Sequence, residues 1–362
     1  MSATLTLPDP SVPPESPRVR AVTDFAEISR RIQDAGLMRR RYAYYWAKLV
    51  GMVVVWAALI TAFVLVGDSW WQLATAVVAA VVMTQTAFLG HDAAHRQMFV
   101  SGKWNEWTSL VVANLFVGLS YGWWQHKHTR HHGNPNKEDV DPDIDLPVLA
   151  FTATQAASRR NPFTRWFAAH QGYFFFPLLL LEGIDLHYQG LKRVFGREPI
   201  ARRGVEILFL GTRLVGYVVL VFAVLSPVKA VVFIALHLAL FGLYMGGSFA
   251  PNHKGMPIVP KDLKIDFLRR QVLMSRNVTG GRFVDVALGG LNYQIEHHLF
   301  PSMPRISLRR AQPIIAAFCA EKDVKYTQTT LFTSYGIVIR YLNEVGLGAR
   351  DNFTCPLVQS YR

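Results

Sequence analysis

Histidine is concentrated in short stretches of this sequence, at spacings that suit metal binding. The densest stretch, residues 123–136 (WWQHKHTRHHGNPN), holds four histidines, and His128, His131 and His132 follow the spacing i, i+3, i+4. On a helix these three imidazoles lie on one face. Because neutral imidazole is a common metal ligand, the stretch predicts a metal site rather than a solvated basic turn.

Two further stretches also place potential ligands on one helix face. They are residues 90–96 (GHDAAHR), with His91 and His95 at i, i+4, and residues 292–301 (NYQIEHHLFP), with Gln294, His297 and His298 at i, i+3, i+4. The three stretches hold eight of the twelve histidines in the chain. One zinc ion with an open position uses fewer ligands, and imidazole suits zinc, copper, iron and nickel alike, so spacing alone does not select the metal.

The three stretches resemble the histidine boxes of the membrane fatty acid desaturases. HDAAH, HKHTRHH and QIEHH have the patterns HxxxH, HxxHH and QxxHH, in the order of that family, and the resemblance covers about residues 39–346. A glutamine that opens the third box is similar to the front-end branch, which acts on acyl-lipid or acyl-CoA substrates. The resemblance implies a di-iron centre whose ligands are the box histidines and one additional histidine after the fourth apolar run. These are His91, His95, His128, His131, His132, His297 and His298, with His253 as the addition.

Three polar residues inside the boxes have two interpretations each. Gln294 is a weaker ligand than the histidine often found at its position, and it either binds metal or orients a neighbouring group. Asp92 and Glu296 are adjacent in sequence to ligands. They either hold metal-bound imidazoles in place or are exposed surface charges.

The resemblance also implies the reaction and its cofactors. Two iron ions, cycling between Fe2+ and Fe3+, would use O2 to remove two hydrogens from adjacent methylenes of a fatty acyl chain carried by CoA or by a lipid. No flavin, haem or iron–sulfur motif is visible, so the electrons would come from an external donor: a ferredoxin, a cytochrome b5-like protein or a reductase. The metal carries the chemistry, and the protein supplies a dry, shaped channel.

The composition indicates an integral membrane protein. The 362 residues are 51% hydrophobic and only 17% charged, and they include long apolar runs. The net charge of +13 comes from basic residues that flank these runs, which favours contact with anionic lipid headgroups and an acidic electron donor over nucleic acid. Cys319 and Cys355 lie far from the histidine stretches and are expected to be free thiols in a reducing compartment.

Four apolar runs are long enough to cross a bilayer. They cover about residues 46–66, 70–89, 205–225 and 228–246. We therefore expect an all-α integral membrane protein with four transmembrane helices, in which residues 24–362 form one desaturase domain. Its helical cap, from residues 90–204 and 250–362, would hold the di-metal site.

The number of crossings bears on where the boxes lie. An even number of spans separates the boxes, so all three are expected on the same face. Arginines before the first span mark that face as cytoplasmic. A composition rich in Ala, Val and Arg suggests a bacterium, and hence the bacterial cell membrane.

Shorter patterns predict two further helices and two interior residues. Residues 24–48 are expected to form an amphipathic helix on the membrane, and residues 111–119, which are too short to span, a helix in the headgroup region. Arg213 and His237 fall inside spans and should face the protein interior, because a charge at the bilayer centre costs about 2.5–3.5 kcal/mol. We expect His237 to be hydrogen-bonded rather than metal-bound.

The remaining segments give weaker signals. Residues 137–145 (KEDVDPDID) form an acidic loop after the second box, whose carboxylates either orient metal-bound imidazoles or face solvent. Residues 1–23 are expected to be a disordered Pro-rich tail without a signal peptide, and no fused cytochrome b5 domain is expected before the spans. His170 and His187 have no clustered neighbours and remain unassigned.

Two other functions stay open. A membrane di-iron hydroxylase or ketolase that acts on a lipid or carotenoid would use the same scaffold, although the form QIEHHLFP favours desaturation. A metal transporter would carry ionisable residues along a path inside its spans. The clustered histidines lie outside the apolar runs, which argues against a transporter.

Overall fold

The computed structural model describes residues 17–347, with side chains from Asp24 onward, and this part of the protein is mainly helical with very little sheet. The helices are α1 (Pro17–Asp34), α2 (Tyr42–Val66), α3 (Gln72–Ala94), α4 (Gly102–Ser109), a π-helix (Leu110–Val117), α5 (Tyr121–Gly133), α6 (Ala153–Ala157), α7 (Pro162–Phe195), α8 (Arg203–Val224), α9 (Pro227–His253), α10 (Phe267–Leu273), α11 (Gly281–Ala287), α12 (Gln294–Leu299), α13 (Arg305–Glu321) and α14 (Leu331–Leu347). Two short strands, β1 (Asn277–Thr279) and β2 (Gln328–Thr330), pair in parallel.

Four of these helices are long and apolar enough to cross a membrane, which confirms the expected fold class. They are α2, α3, α8 and α9. Only 6% of the most apolar part of α2 and 11% of that of α8 is buried inside the protein, against 50% for α3 and 28% for α9. Helices α2 and α8 therefore lie on the outside of the bundle, and α3 and α9 form its inner pair.

The two inner helices are longer than the apolar runs that predict them. The run that ends at Leu89 continues as α3 to Ala94, and the run that ends at Gly246 continues as α9 to His253. Hydropathy marks only the part of a helix in hydrocarbon, whereas the backbone hydrogen bonds continue beyond it. Both inner helices therefore extend directly into the histidine sites.

The N-terminal helix differs from the prediction in its extent. The prediction of a single helix over residues 24–48 is wrong, because α1 ends at Asp34 and Gly36 takes a φ of +67°. This left-handed conformation ends helices and is open to glycine at little cost. Helix α1 begins at Pro17, inside the expected tail, and residues 1–16 lie outside the described residues.

The buried face of α1 belongs to the largest apolar core of the cap. Ile28 and Ile32 have no exposed surface and pack with side chains of α10, α12 and α13, among them Leu268, Ile295 and Phe318. This core lies directly behind the third box. Burial of such side chains contributes about 1.5–3 kcal/mol each, so α1 stabilises the cap as well as covering it.

The segment after the first box is helical, as expected for residues 111–119, but it is a π-helix. It follows α4 without a break and ends at Gly118, whose φ is +89°. Wide turns of this kind are rare and concentrate at functional sites. Its Asn114 and Val112 are buried against the neighbouring helices.

The apolar segment 173–181 is part of α7, a helix of 34 residues that packs along α9. The two backbones meet at Gly183 and Gly242. A Cβ atom on Gly183 would collide with the carbonyl oxygen of Leu238, and one on Gly242 would collide with the backbone nitrogen of Gly183. Helix α7 thus holds α9 in place by backbone contact that leaves no room for a side chain.

Gly183→Ala should lower the stability of the protein, whereas Gly211→Ala should raise it slightly. The first change forces α7 and α9 apart, which we expect to cost about 1–3 kcal/mol. The second adds a methyl group where nothing lies within 4 Å, so the better helix propensity of alanine, about 0.5–1 kcal/mol, is the main effect. Thermal unfolding of both variants in one detergent measures the two effects; a Gly183→Ala variant as stable as the wild type would contradict the close packing.

Candidate metal centre

The eight histidines expected to bind metal come together in one site, in two groups. The five-histidine group has ligand nitrogens within 4.8 Å of one another and consists of His91, His95, His128, His132 and His297. The three-histidine group meets the same limit and consists of His131, His253 and His298. The rings of His132 and His298 stack with centroids 4.1 Å apart, so the two groups adjoin.

Four helix segments position these histidines. The end of α3 supplies the first box, α5 the second, the last residue of α9 supplies His253, and α12 supplies the third box. Helix α5 begins after Ser120, whose hydroxyl accepts a hydrogen bond from the backbone N–H of Trp123 and donates one to Glu206 of α8. The same carboxylate accepts the N–H of Gly122 at 2.9 Å. A buried anion at this helix N-terminus stabilises the start of α5 and fixes it to α8.

Ring nitrogens of the five-histidine group approach each other closely. Nε2 of His95 lies 2.8 Å from Nε2 of His128, and Nε2 of His132 lies 3.2 Å from Nε2 of His297. His91 is 6% exposed, and neither of its ring nitrogens makes a hydrogen bond. Trp124 stacks on the ring of His128 with centroids 4.2 Å apart and closes one side of the group.

In the three-histidine group every ring is held at Nδ1 and presents Nε2 to the centre. Nδ1 of His131 lies 3.0 Å from a carboxylate oxygen of Asp141, Nδ1 of His253 lies 3.0 Å from the carbonyl oxygen of Met274, and Nδ1 of His298 lies 2.9 Å from Oε1 of Gln271. Acceptors at Nδ1 place the proton there and leave the lone pair on Nε2.

Gln294 contacts one of the same three histidines, His253. Its Nε2 is 2.8 Å from Nε2 of His253, and Nε2 of His298 has no hydrogen-bond partner although it is buried. Asn252 donates to Oε1 of Gln294 at 3.3 Å. The amide thus faces the position that the three Nε2 atoms share, and its oxygen and nitrogen would exchange places if it bound a cation.

The donor set fits metal ions in both groups. A nitrogen–metal bond of about 2.1 Å places neighbouring ligands of one ion about 3 Å apart, which is the spacing of the ring nitrogens here. Buried nitrogens without a partner are rare in proteins, and a bound cation would satisfy Nε2 of His298 and one of the two ring nitrogens of His91. Eight imidazoles and an amide suit borderline metals such as iron or zinc.

Burial keeps most of these imidazoles in the form that binds metal. Loss of water around the rings lowers the pKa of His128, His132, His297 and His298 well below the usual value, so that all four are neutral near pH 7. His131 is the exception. Burial opposes its charged form, but the negative charges of Asp141 and Asp143 outweigh this effect and raise the pKa of His131.

A proline shapes the end of α9 just before His253. Pro251 has no N–H, so the carbonyl oxygen of Gly247 loses its helical partner, and the hydroxyl of Tyr335 donates to it instead at 2.8 Å. The carbonyl of Pro251 accepts hydrogen bonds from the buried guanidinium of Arg276 and from the hydroxyl of Ser334. These contacts from outside α9 fix its last turn, and with it the ring of His253.

Asp92 lies beside a ligand and pairs with a cation from the other end of the cap. It is 2% exposed, its Oδ1 is 3.7 Å from Nδ1 of His91, and its Oδ2 is 2.8 Å from Nε of Arg305. The backbone N–H of Arg305 donates to the hydroxyl of Tyr45 and to Oε1 of Gln97. Asp92 is therefore not a surface charge, and its ion pair joins the first box to the segment after the third.

Glu296 is also buried, but its carboxylate turns away from the metal ligands. It accepts hydrogen bonds from Nδ2 of Asn277 at 2.7 Å and from the hydroxyl of Tyr326 at 2.6 Å. Burial raises the pKa of Glu296 to about 7, although both hydrogen bonds act in the opposite direction. Its contacts fix α12 to β1 and to the segment before β2, so it positions the third box without touching an imidazole.

The structure also shows where the acidic loop and two of the other histidines lie. In the loop, Asp141 is 1% exposed and contacts His131, which favours the interpretation that its carboxylates orient imidazoles. His126, in the same stretch as the second box, is exposed on α5 and outside both groups. His237 is buried in α9 and shares a hydrogen bond of 2.7 Å with the hydroxyl of Tyr217, as expected.

Sequence reasoning missed Gln271, Arg276 and Arg305. Each lies outside the boxes and carries no spacing signal, because a polar residue among other polar residues of a helix or loop has many explanations. Of the three, Arg276 carries the strongest sequence signal of a buried role, because its neighbours in sequence are uncharged. Its burial, at 2% exposed, appears only once the fold brings β1 against the end of α9.

Residues 68–330 match the family model described as fatty acid desaturase, and this range includes the apolar helices α3, α8 and α9 and all three boxes. The chain belongs to the fatty acid desaturase family. This confirms the resemblance inferred from the three histidine boxes.

This desaturase-family chain is similar to relatives from plants and animals. It is 25% identical to a Delta(8)-fatty-acid desaturase of Helianthus annuus, over 93% of this chain and 76% of that protein. It is 30% identical to an acyl-lipid (9-3)-desaturase of Physcomitrium patens, over 92% of this chain and 65% of that protein. A Delta(6)-fatty-acid desaturase of Caenorhabditis elegans is 28% identical, over 90% of this chain and 75% of that protein.

Asp141→Asn should weaken metal binding by the three-histidine group. The amide keeps the size of the carboxylate but removes the charge that holds Nδ1–H of His131, and loss of such a partner costs about 10–100-fold in metal affinity. Iron per chain, measured after dialysis against increasing chelator, should fall at lower chelator concentration than in the wild type. Asp145→Asn, an exposed position in the same loop, is the matched control and should leave the curve unchanged.

Glu296→Gln should make stability less sensitive to pH. The pKa of Glu296 rises from the usual 4.5 to about 7 in the folded state, so the native protein binds the extra proton between these values. Stability due to this group is complete below about pH 4.5 and is lost as pH rises through about 7, by an amount on the order of 3 kcal/mol. Thermal unfolding from pH 5 to 8 should show that the stability of the variant rises relative to that of the wild type as pH increases. A stability difference that does not change with pH would refute the raised pKa of Glu296.

Proposed function

We propose that this protein is an O2-dependent fatty acyl desaturase that introduces a C=C bond into a long acyl chain at a histidine-ligated di-iron centre. The observation that carries the proposal is the convergence of eight histidines, from four separate helix segments, into two adjoining groups. Membership of the fatty acid desaturase family supports the reaction class.

The proposed ligands follow the two groups. One iron would be held by the five-histidine group and the other by the three-histidine group, with Gln294 as its fourth neighbour. The irons, when bound, supply the oxidising power that removes hydrogen from an unactivated methylene. In the three-histidine group, Asp141, Gln271 and the carbonyl of Met274 keep the Nδ1 protons on the far side of the rings, so that the lone pairs of these three rings point inward.

The protein's own contribution is to orient the ligands and to exclude water. His91, His131, His253, His297 and His298 are each no more than 6% exposed. Such a dry site protects a strongly oxidising centre from side reactions with solvent. The ion pair of Asp92 with Arg305 and the hydrogen bonds of Glu296 hold the first and third boxes from behind.

We propose an acyl-CoA or an acyl-lipid as the substrate. The relatives are named for fatty acids, and one of them for acyl-lipids. An external donor, either a ferredoxin, a cytochrome b5-like protein or a reductase, would supply electrons at the basic face of the cap. The site would face the cytoplasm of a bacterial cell membrane, with the spans in contact with membrane lipids.

The arrangement does not favour a transporter. The metal-ligand groups lie at the ends of α3 and α9, in the cap, rather than along a path between the spanning helices. A hydroxylase or ketolase would use the same ligands, so product analysis separates it from a desaturase.

Expression of the chain in a host with a supplied electron donor should add a new unsaturated fatty acid, and His131→Ala should abolish it. The variant removes a proposed ligand of one iron and the imidazole that contacts Asp141. The measurement is the fatty acid profile, with double bonds located by mass spectrometry.

His126→Ala is the matched control, because it removes an exposed histidine of the same helix. It should leave the profile of the wild type intact. A hydroxylated lipid in place of the unsaturated acid would overturn desaturation in favour of the hydroxylase, and loss of product in both variants would contradict the ligand assignment.

A further inference from the structure

A cavity of about 320 Å³ lies between the two outer spanning helices, α2 and α8. Its walls are mainly apolar, with Trp56 and Phe63 from α2 and Leu220 from α8, and Ile60 at its edge is 44% exposed. The cavity is therefore lined for a hydrocarbon and reaches the surface that faces lipid.

An arginine in this apolar cavity has no counter-ion. Arg213 is the eleventh of the 22 residues of α8, so it lies about 15 Å from either end of the helix, near the middle of the membrane. Its Nε donates to the carbonyl of Phe116 at 2.8 Å, and its guanidinium lies 5.5 Å from the ring centre of Trp56. Among the residues that line the cavity in the described structure there is no carboxylate.

His237 adds a second polar group to the same cavity. It is 1% exposed, and its Nδ1 shares a hydrogen bond with the hydroxyl of Tyr217, whereas its Nε2 lacks a partner. The guanidinium of Arg213 lies 4.8 Å from the ring centre of Tyr217. Three polar side chains thus meet at one level of the membrane, and two of them have donor or acceptor capacity left over.

The cavity is separate from the metal centre. Ala79, in its wall, precedes His91 by twelve residues on α3, or about 18 Å, and His237 precedes His253 by sixteen residues on α9, or about 24 Å. Between the two places, Met83 and Phe241 pack together, each no more than 1% exposed. A molecule in the cavity would not contact the proposed metal ligands.

We propose that this cavity binds a free long-chain fatty acid, with its carboxylate on Arg213 and His237 and its chain along the apolar walls. A cation without a counter-ion in a medium of low dielectric attracts a single compact anion strongly. The apolar walls require that this anion carry a hydrocarbon chain, and the depth of Arg213 excludes a bulky hydrated headgroup. The proposal is independent of the proposed function.

Fluorescence quenching by 9,10-dibromostearate tests this site, because bromine quenches nearby tryptophan and Trp56 lines the cavity. The purified full chain in nanodiscs of unbrominated lipid, at about pH 8 where the acid is ionised, should show saturable quenching. Trp56→Phe should remove most of it. Methyl 9,10-dibromostearate, which has no charge, should bind the wild type at least about tenfold more weakly, and this comparison needs no variant.

Variants of Arg213 test whether its positive charge is responsible for binding the acid. Arg213→Met should weaken the acid about tenfold or more and leave the ester unchanged, and Arg213→Lys should restore part of the affinity for the acid. Arg282→Met, at an exposed arginine outside the spans, is the matched control and should bind like the wild type. Equal binding of acid and ester by the wild type, or quenching that survives Trp56→Phe, would overturn the proposal.

Discussion

The cap depends on one constraint: eight imidazoles from separate helix segments lie side by side in two adjoining groups, and five of them are almost wholly buried. Each ring has two nitrogens, and in a dry site the one that faces away from the centre needs an acceptor. The three-histidine group meets this need with three chemically different acceptors, a carboxylate, a backbone carbonyl and an amide oxygen. None of these comes from a histidine box, so the boxes alone do not make the site.

The supporting groups also join segments that are distant in sequence. The ion pair of Asp92 with Arg305 connects the end of α3 to the start of α13, and Glu206 connects α8 to the start of α5. Arg276, just before β1, and Tyr335, in α14, hold the last turn of α9. Buried charges paired in this way are costly to separate, which gives the cap one arrangement and not several. Rigid ligands are the condition for binding two metal ions with defined geometry.

The sequence predicts the parts of this structure that follow from local patterns. Apolar runs of membrane length predict the four spans. The spacing i, i+3, i+4 predicts which imidazoles lie on the same face of a helix. Both patterns are properties of a single helix. The sequence does not predict that α3 and α9 continue past their apolar runs, since apolar composition marks only the part of a helix that lies in hydrocarbon. It also cannot find Gln271 or Arg305, because their roles depend on tertiary contacts between residues far apart in the chain. His253 was found by its position after a span, which is a topological argument, and its ligand role stays a prediction.

The continuity of α3 and α9 ties the angular position of the ligands to the length of the spans. Each residue of an α-helix turns the chain by about 100° and advances it by about 1.5 Å, so one residue added between Ala79 and His91 would turn the first box away from the other two. Loops such as the one between α1 and α2 absorb an added residue, whereas these two helices transmit it unchanged to the metal ligands. The site therefore fixes not only which residues it contains but also the number of residues, and hence the helical phase, between the spans and the histidine groups.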